Sequence, residues 1–244
     1  DQESGQMVLA GMGELHLDVI VERIRREFKV EATVGAPKVA YRESVRKTAA
    51  AQGKFIRQSG GRGQFGDVTL RIEPLEAGSG LVFESEITGA TLPTEYHGPV
   101  EQGFKEAAQA GVVAGHPVVD IKAILIDGSH HEVDSSEVAF KIASSMAFKA
   151  ACQKASPYVL EPVMLMEVVT PEEFLGDVLG DLQSRRAQVQ SMEPQTGLQI
   201  VKAFVPLAET FQYATILRSN TTGRASFSQE LDHYAPAPAI KKEQ

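Results

Sequence analysis

The sequence predicts an α+β, multi-domain chain: an incomplete β-α-β segment, an α+β lobe, and a complete ferredoxin-like unit. Three observations predict it. At 244 residues the chain has length for two domains and part of a third. Apolar residues recur in some stretches at period two and in others at helical period, so strands and helices alternate throughout. Residues 161–235 spell the order βαββαβ, which is the ferredoxin-like arrangement.

Residues 1–36 read strand, helix, strand. Gln6–Gly11 is short and apolar, and Gly13 opens a helix with Leu17, Ile20, Val21, Ile24 and Phe28 on one stripe. Lys29–Val34 then alternates as a half-buried strand does. Two strands and one helix bury too little surface to stand alone, so this segment is expected to be the second half of a domain.

Residues 37–160 supply strands at Val39–Val45, Lys54–Gln58, Gly66–Glu73 and Leu81–Ile87. After Pro93 a helix places Tyr96, Val100 and Phe104 on one face and stops at Gly111. A strand over Val118–Ile126, a loop over Asp127–Val133 and a helix from about Ser135 to Lys154 complete the lobe. Asp134 and Glu137 have the spacing of a capping box on that helix.

Residues 161–235 open with a strand over Val163–Val169. Thr170-Pro171-Glu172-Glu173 reads as a second capping box, on a helix that buries Phe174, Leu175, Val178, Leu179 and Leu182. Strands over Ala187–Met192 and Leu198–Val205, a helix over Leu207–Ser219 and a strand over Ala225–Tyr234 follow. Residues 236–244 read as a loose tail.

Composition narrows the function. With 43% hydrophobic and 23% charged residues, disordered, collagen-like and coiled-coil classes are excluded. No apolar run approaches the ~18 residues of a membrane helix. The net charge is −8, yet residues 37–75 carry eight Lys and Arg against three acids. That is no general polyanion binder, but it leaves one confined basic surface for nucleic acid. The lone Cys152 fits a reducing compartment and allows no internal disulfide.

Gly61-Arg62-Gly63-Gln64-Phe65-Gly66-Asp67-Val68 matches a nucleotide-loop pattern, but an alternating strand follows where a helix is required. A kinase reading lacks its H-R-D and D-F-G partners. What remains is a slim hairpin tip, Gln58, Ser59, Gly60, Gly61, Arg62, Gly63 and Gln64, whose backbone N–H groups can approach a phosphate backbone or base edges. His130, His131, Glu132, Val133, Asp134 and Ser135 form the second polar cluster. Adjacent histidines on an extended loop point apart, which disfavours a metal site. There is no Walker A motif, and the only asparagine, Asn220, cannot supply an N-K-x-D motif. Arg185, Arg186, Arg218 and Arg224 are candidate RNA contacts in the last unit.

Several stretches together resemble bacterial-type elongation factor G: Gly11-Met12-Gly13-Glu14-Leu15-His16-Leu17, Gln58–Gly66, Val133–Glu137 with Ala139-Phe140-Lys141, Leu160-Glu161-Pro162 and Gly223-Arg224-Ala225. The resemblance runs in order over residues 1–235. It implies the back half of that family's domain III (1–36), a ribosomal-protein-like domain IV (37–160) and a ferredoxin-like domain V (161–235). It further implies a translocation factor whose domain IV tip, Gln58–Gln64 with Ser129–Ser135, enters the small-subunit decoding region and follows tRNA and mRNA out of the A site. Domain V would rest on rRNA near the large-subunit factor-binding centre. GTP and Mg would belong to the full-length protein and no cofactor to this part. The protein would be a cytoplasmic monomer without catalytic activity of its own here. His130 stands where the family often has tyrosine, Gln212 where it usually has glycine, and Tyr96-His97-Gly98-Pro99 differs from a commoner apolar version. These departures leave open a divergent paralogue acting in ribosome recycling, and a competing class is a stand-alone ribosome- or RNA-binding protein without GTPase function.

Overall fold

The computed structural model describes residues 7, 9, 14–31, 33–35, 38–58, 63–88 and 91–238. Contacts divide the chain into two compact units, residues 41–160 with 236–244, and residues 1–40 with 161–235.

Helix α1 (Glu14–Phe28) forms where the apolar stripe predicts it. Exposed Glu22–Arg26 and Arg23–Glu27 pairs reinforce it at i,i+4 spacing, and Lys29 ends it in the left-handed region at φ 51°. Among the described residues of the predicted Lys29–Val34 strand, none is in a ladder. Alternation fits a residue for a strand but does not supply the neighbour whose hydrogen bonds make one. The predicted Gln6–Gly11 strand falls largely outside the described residues.

The lobe runs β1 (Arg42–Val45), β2 (Ala49–Arg57), β3 (Gln64–Pro74), β4 (Leu81–Ser85), α2 (His97–Ala110), β5 (Ile121–Ser129) and α3 (Glu137–Lys154). The sheet order is β2-β3-β5-β4. Its β2/β3 and β3/β5 pairs are antiparallel, and β4/β5 is parallel with α2 as the crossover. On β3, Gly66, Val68, Leu70 and Ile72 face the helices and are fully or nearly fully buried. Ala139, Ala143, Ala147 and Ala151 make a small-residue ridge along α3 at four-residue spacing. Glycines meet this helix: a Cβ on Gly53 would strike the Ala143 carbonyl, one on Gly66 the Ala139 carbonyl, and one on Gly103 the Lys141 carbonyl. Backbone therefore lies on backbone, and Phe104, Phe140 and Phe148 fill the remaining volume.

One carboxylate ties β1 to the turn after α2. Glu43, fully buried, accepts from the backbone N–H groups of Val112 (2.6 Å), Val113 (2.9 Å), Ala114 (2.7 Å) and His116 (3.0 Å). Gly111 and Gly115, at φ 77° and 83°, curl that turn so its amides converge.

Several boundaries differ from the sequence expectation: β2 begins at Ala49 and not Lys54, β4 ends at Ser85 and not Ile87, and β5 begins at Ile121 and not Val118. Ser136, not Asp134, is the N-cap of α3, its hydroxyl accepting from Ala139 N at 3.2 Å. Asp134 bonds elsewhere, as described below. β5 extends to Ser129, so Asp127 to Ser129 belong to a strand and not to the predicted loop.

β6 (Pro157–Pro171) begins within the lobe, and its part from residue 161 belongs to the second unit with α4 (Leu175–Ser184), β7 (Gln188–Gln195), β8 (Leu198–Pro206), α5 (Tyr213–Asn220) and β9 (Ser226–Pro236). The first residues of β6 pair with β1 in the lobe. From Val163 onward β6 pairs antiparallel with β8, β8 with β7, and β9 adds to the free side of β6. The resulting order β9-β6-β8-β7 is the ferredoxin-like one that the sequence predicts. Met166, Val168, Val201, Ala203 and Val205 bury one sheet face against Val178, Leu182, Tyr213 and Leu217. Thr170 does not cap α4: it is buried, and its hydroxyl bonds to the Pro171 carbonyl. β9 takes in Ala235 and Pro236, and Ala237 N donates to the Val159 carbonyl at 2.9 Å, so the tail starts later than expected. Residues 239–244 lie outside the described residues.

Gln212 enters α5 at φ 62°, ψ 7°, a left-handed conformation that suits glycine. A side chain there costs about 1–2 kcal/mol, partly offset by the extra freedom glycine has when unfolded. Gln212→Gly is therefore expected to stabilise the unit by about 0.5–1 kcal/mol, read as a higher urea midpoint. An unchanged or lower midpoint contradicts the strain.

Candidate functional site

The hairpin β2/β3 pairs up to Arg57↔Gln64, so its tip is the six-residue connection 58–63. Of the residues proposed for it, Gln58, Gly63 and Gln64 are described, and Ser59, Gly60, Gly61 and Arg62 lie outside the described residues. The second loop, His130 to Ser136, joins β5 to α3 and is brought alongside. Gly63 N donates to Asp134 Oδ1 at 3.0 Å, Phe65 N donates to the Asp134 carbonyl at 2.8 Å, and Phe65 forms a parallel bridge with Ser135. Residues 71 positions apart thus share one end of the lobe.

The other residues fill in around that join. The His131 ring meets Phe65 edge to face, centroids 4.1 Å apart at 67°. Lys54 Nζ lies 5.6 Å from the Phe65 centroid. Ser135 Oγ accepts from His131 N at 2.8 Å. His130 points elsewhere, its Nδ1 lying 3.3 Å from the Thr91 carbonyl. Val133 stands 66% exposed. Beneath the loops, nearly buried Asp67 accepts from Gln52 Nε2 at 2.7 Å and from Ser129 Oγ at 2.9 Å, stitching β2, β3 and β5 together. A shallow groove of about 250 Å³ runs between the loops, with Lys54, Arg57, Gln58, Gln64, Phe65 and His131 on its walls.

This arrangement offers cations, side-chain amides and an exposed valine at one end of the lobe. That suits shape and backbone recognition of nucleic acid better than bond-making chemistry. Among the described residues no group of three His, Cys, Asp or Glu side chains gathers as a metal ion requires. Cys152 is buried inside the lobe, where burial and then the Glu43 charge push its thiol up to about 12, so it is no nucleophile. No helix of the described chain is long and apolar enough to cross a membrane.

The four arginines of the second unit divide. Arg185 is buried, its Nε on Asp181 at 2.9 Å and its Nη1 on the Glu209 carbonyl at 2.6 Å, with Tyr213 under the guanidinium. Arg186 grips buried Glu161 with both Nη atoms, at 2.8 and 3.1 Å, and reaches Glu209 with Nε. The Glu161 bonds in particular raise its pKa above the ordinary arginine value. Both are thus engaged in bonds within the unit. Arg224 pairs with Glu173 at the surface, and Arg218 lies exposed in the last turn of α5.

Sequence reasoning missed Phe65, Lys54 and Asp67. A signal for Phe65 existed: it falls out of phase with Val68, Leu70 and Ile72, so a large apolar side chain was bound for the sheet's other face and needed cover there.

Residues 37–156 match the family described as elongation factor G, domain IV, residues 158–244 its C-terminus, and residues 1–36 its domain III. A crystal structure of a protein from Thermus thermophilus superposes with a TM-score of 0.84 at 47% identity. The match covers 98% of this chain and 36% of that one, so this chain spans well under half of that protein's length.

Proposed function

The chain belongs to the elongation factor G family, and from that premise we propose that it is the ribosome-engaging arm of a translational GTPase that moves tRNA and mRNA. The joined loops of the lobe enter the small-subunit decoding region, contact tRNA and mRNA in the A site, and block their return. The ferredoxin-like unit rests on rRNA at the large-subunit factor-binding centre. GTP and Mg²⁺ are held by the longer protein and make the cycle directional. The factor works as a monomer in the cytoplasm.

The observation that carries this reading is the Gly63–Asp134 join. It gathers Lys54, Arg57, Gln58, Gln64 and His131 around one groove. Recycling by a divergent paralogue is the second reading, and it rests on His130, which stands where the family often has tyrosine.

The test is co-sedimentation with ribosomes across a salt series, wild type beside a Gly60-Gly61-Arg62 to triple-alanine variant. Affinity falling steeply with salt, with a shallower slope for the variant, is expected when a few phosphates are contacted. Salt-independent binding, identical for both proteins, contradicts RNA engagement by the tip.

A further inference from the structure

Resting on the reading of the tip as the RNA-engaging end, we infer that Asp134 is its positioning residue, locking the two loops into one body and fixing the place of His131. It holds the hairpin at two points, the last residue of its connection and the start of β3. Its Oδ1 accepts from Gly63 N at 3.0 Å, and its carbonyl accepts from Phe65 N at 2.8 Å. Phe65 in turn presents its ring to His131, 4.1 Å between centroids. On the second loop, Ser135 closes a turn behind His131, its hydroxyl accepting from His131 N at 2.8 Å and its own N–H donating to the His131 carbonyl at 3.1 Å. The path from Gly63 through Asp134 and Phe65 to His131 is continuous.

Three features set Asp134 apart from an ordinary loop acid. It is released from capping, because Ser136 caps α3. Its partner is a glycine, and a Cβ at residue 63 would sit 3.1 to 3.2 Å from Cγ and both carboxylate oxygens, close enough that the carboxylate would have to give by a few tenths of an ångström. A charged acceptor on a backbone N–H makes a bond roughly twice as strong as a neutral one. Recognition by shape needs contact groups held within roughly 0.5 Å, and loops ordered beforehand lose less entropy on binding. Asp134 supplies that order at the place where cations and amides converge.

The test uses Asp134→Ala and Asp134→Asn in this chain, with amide hydrogen exchange at Gly63 and Phe65, His131 ring shifts by NMR, and ribosome affinity at one fixed salt. Asp134→Ala is expected to speed Gly63 exchange more than tenfold, move the His131 ring signals and weaken ribosome binding about fivefold. Asp134→Asn keeps an acceptor oxygen and restores exchange and affinity to within about threefold of wild type. Gly63 exchange within twofold of wild type in the alanine variant overturns the lock. Fast exchange with unchanged affinity overturns the positioning role, as does asparagine behaving like alanine. None of these outcomes alters the salt slope of the wild-type protein, on which the RNA reading itself stands or falls.

Discussion

Glu43→Ala is expected to destabilise the lobe by about 4 kcal/mol, with Glu43→Gln nearly as damaging. The carboxylate is fully buried and is held by four backbone N–H groups. Charge-assisted bonds contribute about 1.5–3 kcal/mol each, and a buried donor left bare costs about 1–3 kcal/mol. Val113 and Ala114 are exposed, so water recovers part of the loss in the alanine variant. Glutamine fares little better, because its NH₂ would face donors where an oxygen now accepts. Burial alone would raise the Glu43 pKa, but the bonds from Val112, Ala114, His116 and Val113 together outweigh it, and the pKa lies below its ordinary 4.5. A depressed folded-state pKa gives stability that is complete above the unfolded value and is lost as pH falls through the folded one. Wild type should therefore lose stability below about pH 4.5 more steeply than Glu43→Gln. Urea unfolding across pH measures both effects. A cost under about 1 kcal/mol at neutral pH, or parallel acid slopes, contradicts the assignment.

The second large effect is functional. Replacing Gly60-Gly61-Arg62 by alanines in the full-length factor is expected to slow translocation ten- to a hundredfold. Ribosome-stimulated GTP hydrolysis should stay within about threefold of wild type. The chain here has no Walker A motif, and this segment lies in sequence between the paired residues Arg57 and Gln64. Added Cβ atoms and the loss of a guanidinium change both the girth and the charge of the segment proposed to meet RNA. His131→Ala should act in the same direction but less, since it removes one ring from a cluster whose backbone joins survive. Equal loss of translocation and hydrolysis by the triple variant contradicts the assigned role.

The βαββαβ unit was legible because its inward residues alternate cleanly. Val201, Ala203 and Val205 on β8, and Met166 and Val168 on β6, are buried at every second position. The caps were not legible to the same degree. Asp134 and Ser136 are both good N-caps two residues apart, and only the approach of Gly63 decides which one is free. The same holds for Arg185 and Arg186: composition shows two cations, while Asp181, Glu161 and the Glu209 carbonyl arrive through the fold. Glu43 is the extreme case, its donors lying 69 to 73 residues away with no local pattern linking them. Of the candidate site, the two loops were read from glycine, amide and histidine content, whereas Phe65 and Lys54 enter through strand pairing.

The most direct test is a photo-crosslinker at Val133, which is exposed beside His131 and makes neither of the Asp134 bonds. The full-length factor carrying it would be trapped on ribosomes with a non-hydrolysable GTP analogue. Crosslinks are expected to small-subunit rRNA of the decoding region, to mRNA or to the A-site tRNA, lost when excess unmodified factor competes. Crosslinks confined to large-subunit components or to ribosomal proteins far from the decoding region would contradict the role proposed for the tip.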